Sequence, residues 1–429
     1  MSERAASSDK TSLQVHPVPA HSVLLADKRQ RTYLKVNMTG LSMDRTERPP
    51  VNVSVVLDRS GSMAGEKLSQ AKQAAGMVLA QLRSQDVVSV VTYDSGVDVP
   101  VPATDASEPW KLTREIEWLQ PGGRTALYDG VQAGAKELRK HLDSERINRI
   151  VLLSDGLANV GPSSPESLAS LGDSLGREGI AVTTIGLGLD YSEQTMTALA
   201  ERSEGNHFFA RDASDLRRAF ATEFGAGLAV VARDVDIRVE LTDDVRLVRV
   251  LNYSSDGVDG QVIKASRKQL YGGMTAFLLL ELEVEEENDG DELELARVEI
   301  EYTDMRSGSR ERVEAEAKVR FSDSAADVLA SESRDVMVAV AGVLGNRRGQ
   351  RAVELYEQGR TDEARREFAA AARYLEENGQ RYGSEALLEL SRLNHRSARH
   401  YDRETAKDHY KHKNLKSFGQ GNMGANAGG

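Results

Sequence analysis

Between Val51 and about Gly225, four short β-branched runs alternate with stretches of helical periodicity, and this alternation restricts the fold more than any other feature of the chain. The runs are Val51–Leu57, Val87–Tyr93, Arg149–Leu153 and Ile180–Gly186. They are apolar almost throughout, as strands covered on both faces must be. In Glu66–Leu82 the residues Leu68, Ala71, Ala75, Val78, Leu79 and Leu82 recur at steps of three and four, and Leu127, Val131, Ala135, Leu138 and Leu142 do the same further on. Each stretch predicts a helix with one buried stripe. Ser163, Ser164 and Pro165 supply capping and first-turn chemistry for another helix, and Asp212–Phe224 reads as the closing one. An open, mainly parallel α/β sheet wrapped by helices is therefore expected over residues 46–228.

The flanking segments change period. Ser12–Val18 and Arg31–Met38 alternate apolar and polar residues, and so do Val235–Leu241, Val245–Leu251, Ala276–Val284, Leu293–Tyr302 and Arg312–Phe321. This is the period of antiparallel, half-buried strands. Neither group closes a sandwich alone, so residues 12–45 and 229–323 are expected to form two halves of one β-sandwich into which the α/β domain is inserted. Helix signals follow at Asp327–Val343, Arg347–Gln358, Thr361–Glu377 and Ser384–Tyr401, giving a helical bundle over residues 324–416. Within it Arg351–Ala371 resembles one tetratricopeptide hairpin, too little for a solenoid. Residues 1–11 and 417–429 read as disordered tails. Glu281–Glu294 holds nine acidic residues in fourteen, which suits a solvated hairpin edge better than a calcium loop.

Composition removes several functions. Among 429 residues, 55 Lys and Arg face 67 Asp and Glu, so the net charge of −12 argues against a general nucleic-acid binder. With no cysteine there is no disulfide framework, thiolate metal site or catalytic thiol. The first residues lack an uninterrupted apolar stretch of the signal-peptide kind, and Ala276–Val284, the most apolar run, is far shorter than a bilayer span. A soluble cytoplasmic protein without membrane contact is the expectation.

The first α/β strand ends in Asp58-Arg59-Ser60-Gly61-Ser62. Loops at the carboxyl ends of parallel strands converge on one crevice, so this sequence aims one carboxylate and two hydroxyls at a single spot. Gly122–Thr125 and Ser154–Gly156 should open onto the same crevice, adding the Thr125 hydroxyl and the Asp155 carboxylate. Two carboxylates among neutral oxygens suit an octahedral ion such as Mg2+ or Mn2+ better than a calcium cage.

Asp58, Ser60, Ser62, Thr125 and Asp155 resemble, in order and position, the metal-ion-dependent adhesion site of von Willebrand factor type A domains. The resemblance covers about residues 51–225 and implies a doubly wound, Rossmann-like sheet. It further implies that Ser60, Ser62 and in some states Thr125 ligate the metal directly, while the aspartates act directly or through water. A carboxylate from a partner protein would complete the coordination. The flanks resemble, less specifically, bacterial proteins of the inter-α-trypsin-inhibitor heavy-chain type. Cytoplasmic relatives imply adaptor work beside AAA+ ATPases or in stress and defence systems. The leading expectation is a non-enzymatic, metal-dependent adaptor that captures an acidic residue of a partner. A metal-dependent hydrolase is the alternative from another class, though no histidine or general base lies in the motif loops. A scaffold with a vestigial metal site is the third.

Overall fold

The computed structural model describes residues 11–41, 49–143, 145–155, 158–187, 192–210, 215–216, 230–252 and 257–401. The expected tail 417–429, residues 1–10, most of the helix expected at Asp212–Phe224, and Gly156 lie outside the described residues. The chain divides into two compact units, one within residues 43–230 and the other within residues 1–42 and 231–429.

Three strands open the second of these units: β1 (Leu13–Pro19), β2 (Val23–Leu25) and β3 (Gln30–Gly40). The α/β unit follows. Its strands are β4 (Val51–Asp58), β5 (Val87–Tyr93), β6 (Val97–Asp105), β7 (Ile147–Ser154), β8 (Ile180–Leu187) and β9 (His207–Ala210), in the sheet order β6-β5-β4-β7-β8-β9. All pairs are parallel except β5 with β6. The helices are α1 (Glu66–Gln81), α2 (Pro109–Glu117), α3 (Leu127–Arg139), α4 (Pro165–Arg177) and α5 (Glu193–Arg202). Every residue of β4 is buried because alternate side chains serve opposite faces. Val53, Val55 and Leu57 join Leu68, Ala71 and Val78 of α1 on one side, whereas Val56 joins Val131, Ala135 and Leu138 of α3 on the other. Burying each such Val or Leu side chain contributes about 1.5–3 kcal/mol. The expected parallel α/β fold is thus present, and β6, α2, α5 and β9 are additions that periodicity did not announce.

The remaining strands are β10 (Val230–Leu241), β11 (Val245–Val250), β12 (Gly257–Asp259), β13 (Val262–Tyr271), β14 (Thr275–Val284), β15 (Glu292–Asp304) and β16 (Arg310–Ser322). They form a four-stranded sheet in the order β1-β3-β14-β11 and a six-stranded sheet in the order β12-β13-β10-β15-β16-β2. In the first, β14 pairs along its whole length with β3, Leu278 opposite Val36 and Leu280 opposite Leu34. Leu34, Val36, Leu278 and Leu280 share one core with Val239, Val298, Ile300 and Phe321 of the six-stranded sheet.

Among the described residues this unit ends in four helices: α6 (Ala325–Ala330), α7 (Arg334–Glu357), α8 (Thr361–Arg381) and α9 (Glu385–Arg399). The outer face of β14 is apolar too, because Phe277 and Leu279 pack on Val336, Ala339 and Val340 of α7. That double burial explains the continuous apolar run in β14. The helix break expected near residues 344–346 is absent, and α7 runs through Gly345 as one helix of 24 residues. A Cβ at Gly345 would lie 2.4 Å from the Leu375 side chain, so this glycine permits close approach of α8 instead of ending α7. Among the described residues, no helix is long and apolar enough to cross a membrane.

Candidate metal centre

The strand order makes its turn around β4 and β7, whose carboxyl ends lie side by side with Leu57 paired to Leu153. This is where an open α/β sheet leaves a crevice. Asp58 is the last residue of β4, Ser154 is the last of β7, and Asp155 follows directly. After Asp58 the chain makes a short 3-10 turn, Gly61–Met63, before α1 begins.

The first loop is ordered by its own aspartate: the Ser60 amide donates to Asp58 Oδ1 at 2.8 Å, and the Ser154 hydroxyl donates to Asp58 Oδ2 at 2.6 Å. Ser60 Oγ and Ser62 Oγ lie 3.1 Å apart, and the Ser62 hydroxyl donates to Asp155 Oδ1 at 2.8 Å. Four of the five expected residues therefore form a connected oxygen cluster. Thr125 reaches the same rim through backbone ties. The Gly61 amide donates to the Gly123 carbonyl at 3.2 Å and the Gly122 amide to the Arg59 carbonyl at 2.8 Å, joining the second loop to the first. The Thr125 amide donates to the Asn159 side chain at 2.9 Å, and the Asn159 amide returns a bond to the Thr125 carbonyl at 3.1 Å. Thr125 itself is buried.

Charge is distributed unevenly. Asp58 is wholly buried, and among the described residues no lysine, arginine or histidine pairs with it. Burial pushes its carboxyl above the ordinary range, the hydrogen bonds from Ser154 and Ser60 pull it back, and the field of Asp155 adds to the rise. Tyr93, at the end of β5, is fully buried beside Asp58 and Ser154, and burial holds its hydroxyl proton well above the usual phenol range. Asp155, by contrast, has a cation at Oδ2: the Lys67 ammonium. Arg59 turns away from the cluster to Asp94 at 3.2 Å and Asp98 at 2.6 Å.

Lys67 and Asn159 were not expected from the sequence, and Ser154 was expected only as part of the third loop, not as a donor to Asp58. A lysine in the first turn of a helix opposes the helix dipole, and Lys67 is the second residue of α1; that mismatch was the available signal. Among the described residues no three His, Asp or Glu side chains gather as a metal-ligand group. The cluster instead combines two carboxylates with hydroxyls, a donor set fitted to a hard divalent cation. A buried carboxylate that no basic side chain of the described residues neutralises, next to a second carboxylate and three hydroxyl residues, meets the same requirement from the electrostatic side.

Comparison with known proteins agrees with this architecture. The family model for the von Willebrand factor type A domain matches residues 52–222. Escherichia coli YfbK is 28% identical over 251 residues, which are 56% of this chain and 44% of YfbK. Human inter-alpha-trypsin inhibitor heavy chain H3 is 32% identical over 127 residues, 28% of this chain and 14% of that protein. The match thus spans less than half the length of either relative. A solved von Willebrand factor type A structure from Catenulispora acidiphila shares the fold with a TM-score of 0.68 at 18% identity, covering 96% of this chain and 98% of its own. Sheet order, crevice and family model converge on one assignment: residues 52–222 are a von Willebrand factor type A domain.

Proposed function

We propose that the protein is a metal-dependent binding module whose α/β unit presents a Mg2+ or Mn2+ ion to an acidic residue of a partner protein. The observation that carries this reading is the wholly buried Asp58 carboxylate, clustered with Ser60, Ser62 and Asp155 and, among the described residues, paired with no lysine, arginine or histidine. In this reading Ser60, Ser62 and Thr125 hold the ion through their hydroxyls, and Asp58 and Asp155 hold it directly or through water. The ion, when bound, supplies a Lewis-acidic position to which a partner's Asp or Glu can bind. The chain's own residues do the positioning: Asp58 fixes the Ser60 amide, Ser154 fixes Asp58, and Asn159 fixes the Thr125 backbone.

Both carboxylates of the cluster are engaged in hydrogen bonds, which favours binding over general-base chemistry. We therefore read the protein as a non-enzymatic adaptor. We also read the α/β unit as an insertion into a β-sandwich, a reading supported by the pairing of β3 with β14. Partner capture by the full chain tests the function. Capture should require Mg2+ or Mn2+, disappear in excess chelator, and weaken about tenfold in Thr125→Ala, as expected for loss of one oxygen ligand worth roughly 1.4 kcal/mol. Capture that is indifferent to chelator would contradict it.

A further inference from the structure

The second unit carries an open cleft of about 310 Å3 in which Arg249, Arg347, Arg348 and Arg351 face a single acid, Glu367, with Leu344 and Tyr374 as its apolar wall. The cleft lies where α7 and α8 meet the end of β11. Its volume falls near the lower end of the roughly 300–1,000 Å3 typical of small-molecule sites.

The four arginines are not equally committed. Arg249 Nε donates to Glu281 at 2.5 Å, and Glu281 also faces Arg31 at 3.5 Å. Arg351 bonds Glu354 at 3.2 Å on the exposed side of α7. Arg347 and Arg348, however, pair with no carboxylate among the described residues. Arg347 donates to the Val250 carbonyl at 3.3 Å, and the Arg348 guanidinium lies 5.2 Å from the centre of the Tyr374 ring. Burial and the neighbouring positive charge of Arg249 both disfavour the charged form of Arg347. In a chain with twelve excess negative charges, Arg347 and Arg348 are exposed at the cleft without a carboxylate, one of them in the field of a third arginine, and so concentrate positive charge where an anion can reach it. Planar forks match the oxygens of a phosphoryl group two at a time.

We propose that this cleft binds a phosphoryl group carried on a small organic molecule, with Arg347 and Arg348 gripping the oxygens and Leu344 and Tyr374 flanking the organic part. The proposal is independent of the metal centre. It is tested by calorimetry on the full chain at fixed ionic strength, with inorganic phosphate, phenyl phosphate and acetate as probes. Phenyl phosphate should bind saturably at one site and more tightly than inorganic phosphate, while acetate gives no saturable signal. Equal affinity for the two phosphates would keep the anion site and assign it to free phosphate instead of an ester. Arg347→Gln and Arg348→Gln should each weaken binding about tenfold or more, the scale of one lost charge-assisted bond, and Arg312→Gln on β16 should leave it unchanged. Arg347→Lys and Arg348→Lys, which keep the charge and the packing stem, should still lose part of the affinity, so a folding defect in the glutamine variants would not decide the matter. Phosphate binding that is absent from the intact chain, or that survives all four cleft substitutions, would overturn the proposal.

Discussion

Lys67 occupies the place at Asp155 that an incoming cation would contest. Its ammonium neutralises one carboxylate of the cluster, so ion binding must either displace Lys67 or tolerate its repulsion. Lys67→Met should therefore raise Mn2+ affinity, on the order of tenfold or less, because the side chain is partly exposed and its charge is screened. Titration calorimetry checks this, and a weaker affinity in the variant would recast Lys67 as a residue that positions Asp155 for the metal. Gly123 offers a second test at the same scale. Its φ of +71° is in the left-handed region, and an added Cβ would lie 2.9 Å from Ser95 Oγ and 3.0 Å from Asp94. Gly123→Ala should cost about 1–3 kcal/mol and disturb the carbonyl that receives the Gly61 amide. Urea unfolding would register the loss, and an unchanged midpoint would show that the loop relaxes freely.

At the scale of elements, β9 carries a pH-sensitive feature. Burial holds the His207 ring down to about 3, and its Nδ1 lies 2.8 Å from the Thr184 hydroxyl on β8. The unfolded chain takes up this proton near the ordinary histidine value of about 6.5, whereas the folded chain does so only near 3. Below about 6.5 the unfolded state therefore binds more protons, so stability falls as pH drops through that window and is constant with respect to this group above it. Because the residue keeps some exposure, the contribution at pH 5 is at most about 2 kcal/mol. His207→Gln should flatten the difference between urea midpoints measured at pH 7 and pH 5, and an identical pH slope in both proteins would refute the assignment.

Elements differ in how far the sequence discloses them. β4, β5, β7 and β8 were legible because double burial writes an unbroken apolar run. The edge strand β6 was not, since its half-exposed residues and two prolines carry no such signature. α7 was misdivided because a glycine that serves close packing looks, in sequence, like one that ends a helix. Asp58, Ser60, Ser62, Thr125 and Asp155 were legible as a motif, and the structure joins four of them by hydrogen bonds and holds Thr125 by its backbone. Lys67 and Asn159 belong to contacts between loops distant in sequence, which residue spacing does not encode.

At the scale of the whole molecule, the two units should respond separately to damage. Val36 is wholly buried on β3, opposite Leu278 of β14 in a segment more than two hundred residues later. Val36→Asp buries an unpaired charge in that core and should cost more than about 3 kcal/mol. Hydrogen exchange should then rise across residues 275–284 and leave residues 150–154 of the α/β sheet protected. Equal loss of protection in both segments would show that the units do not hold their stability apart.

The cation at the loop cluster remains the central claim, and Mn2+ titration of the full chain measured by calorimetry addresses it most directly. Asp58→Asn is the decisive variant because it removes the buried charge yet keeps an oxygen for the Ser60 amide or the Ser154 hydroxyl. One Mn2+ site is expected in the unaltered protein and none detectable in Asp58→Asn, with both proteins folded by circular dichroism. Unchanged Mn2+ affinity in Asp58→Asn, or no binding by the unaltered chain, would contradict it.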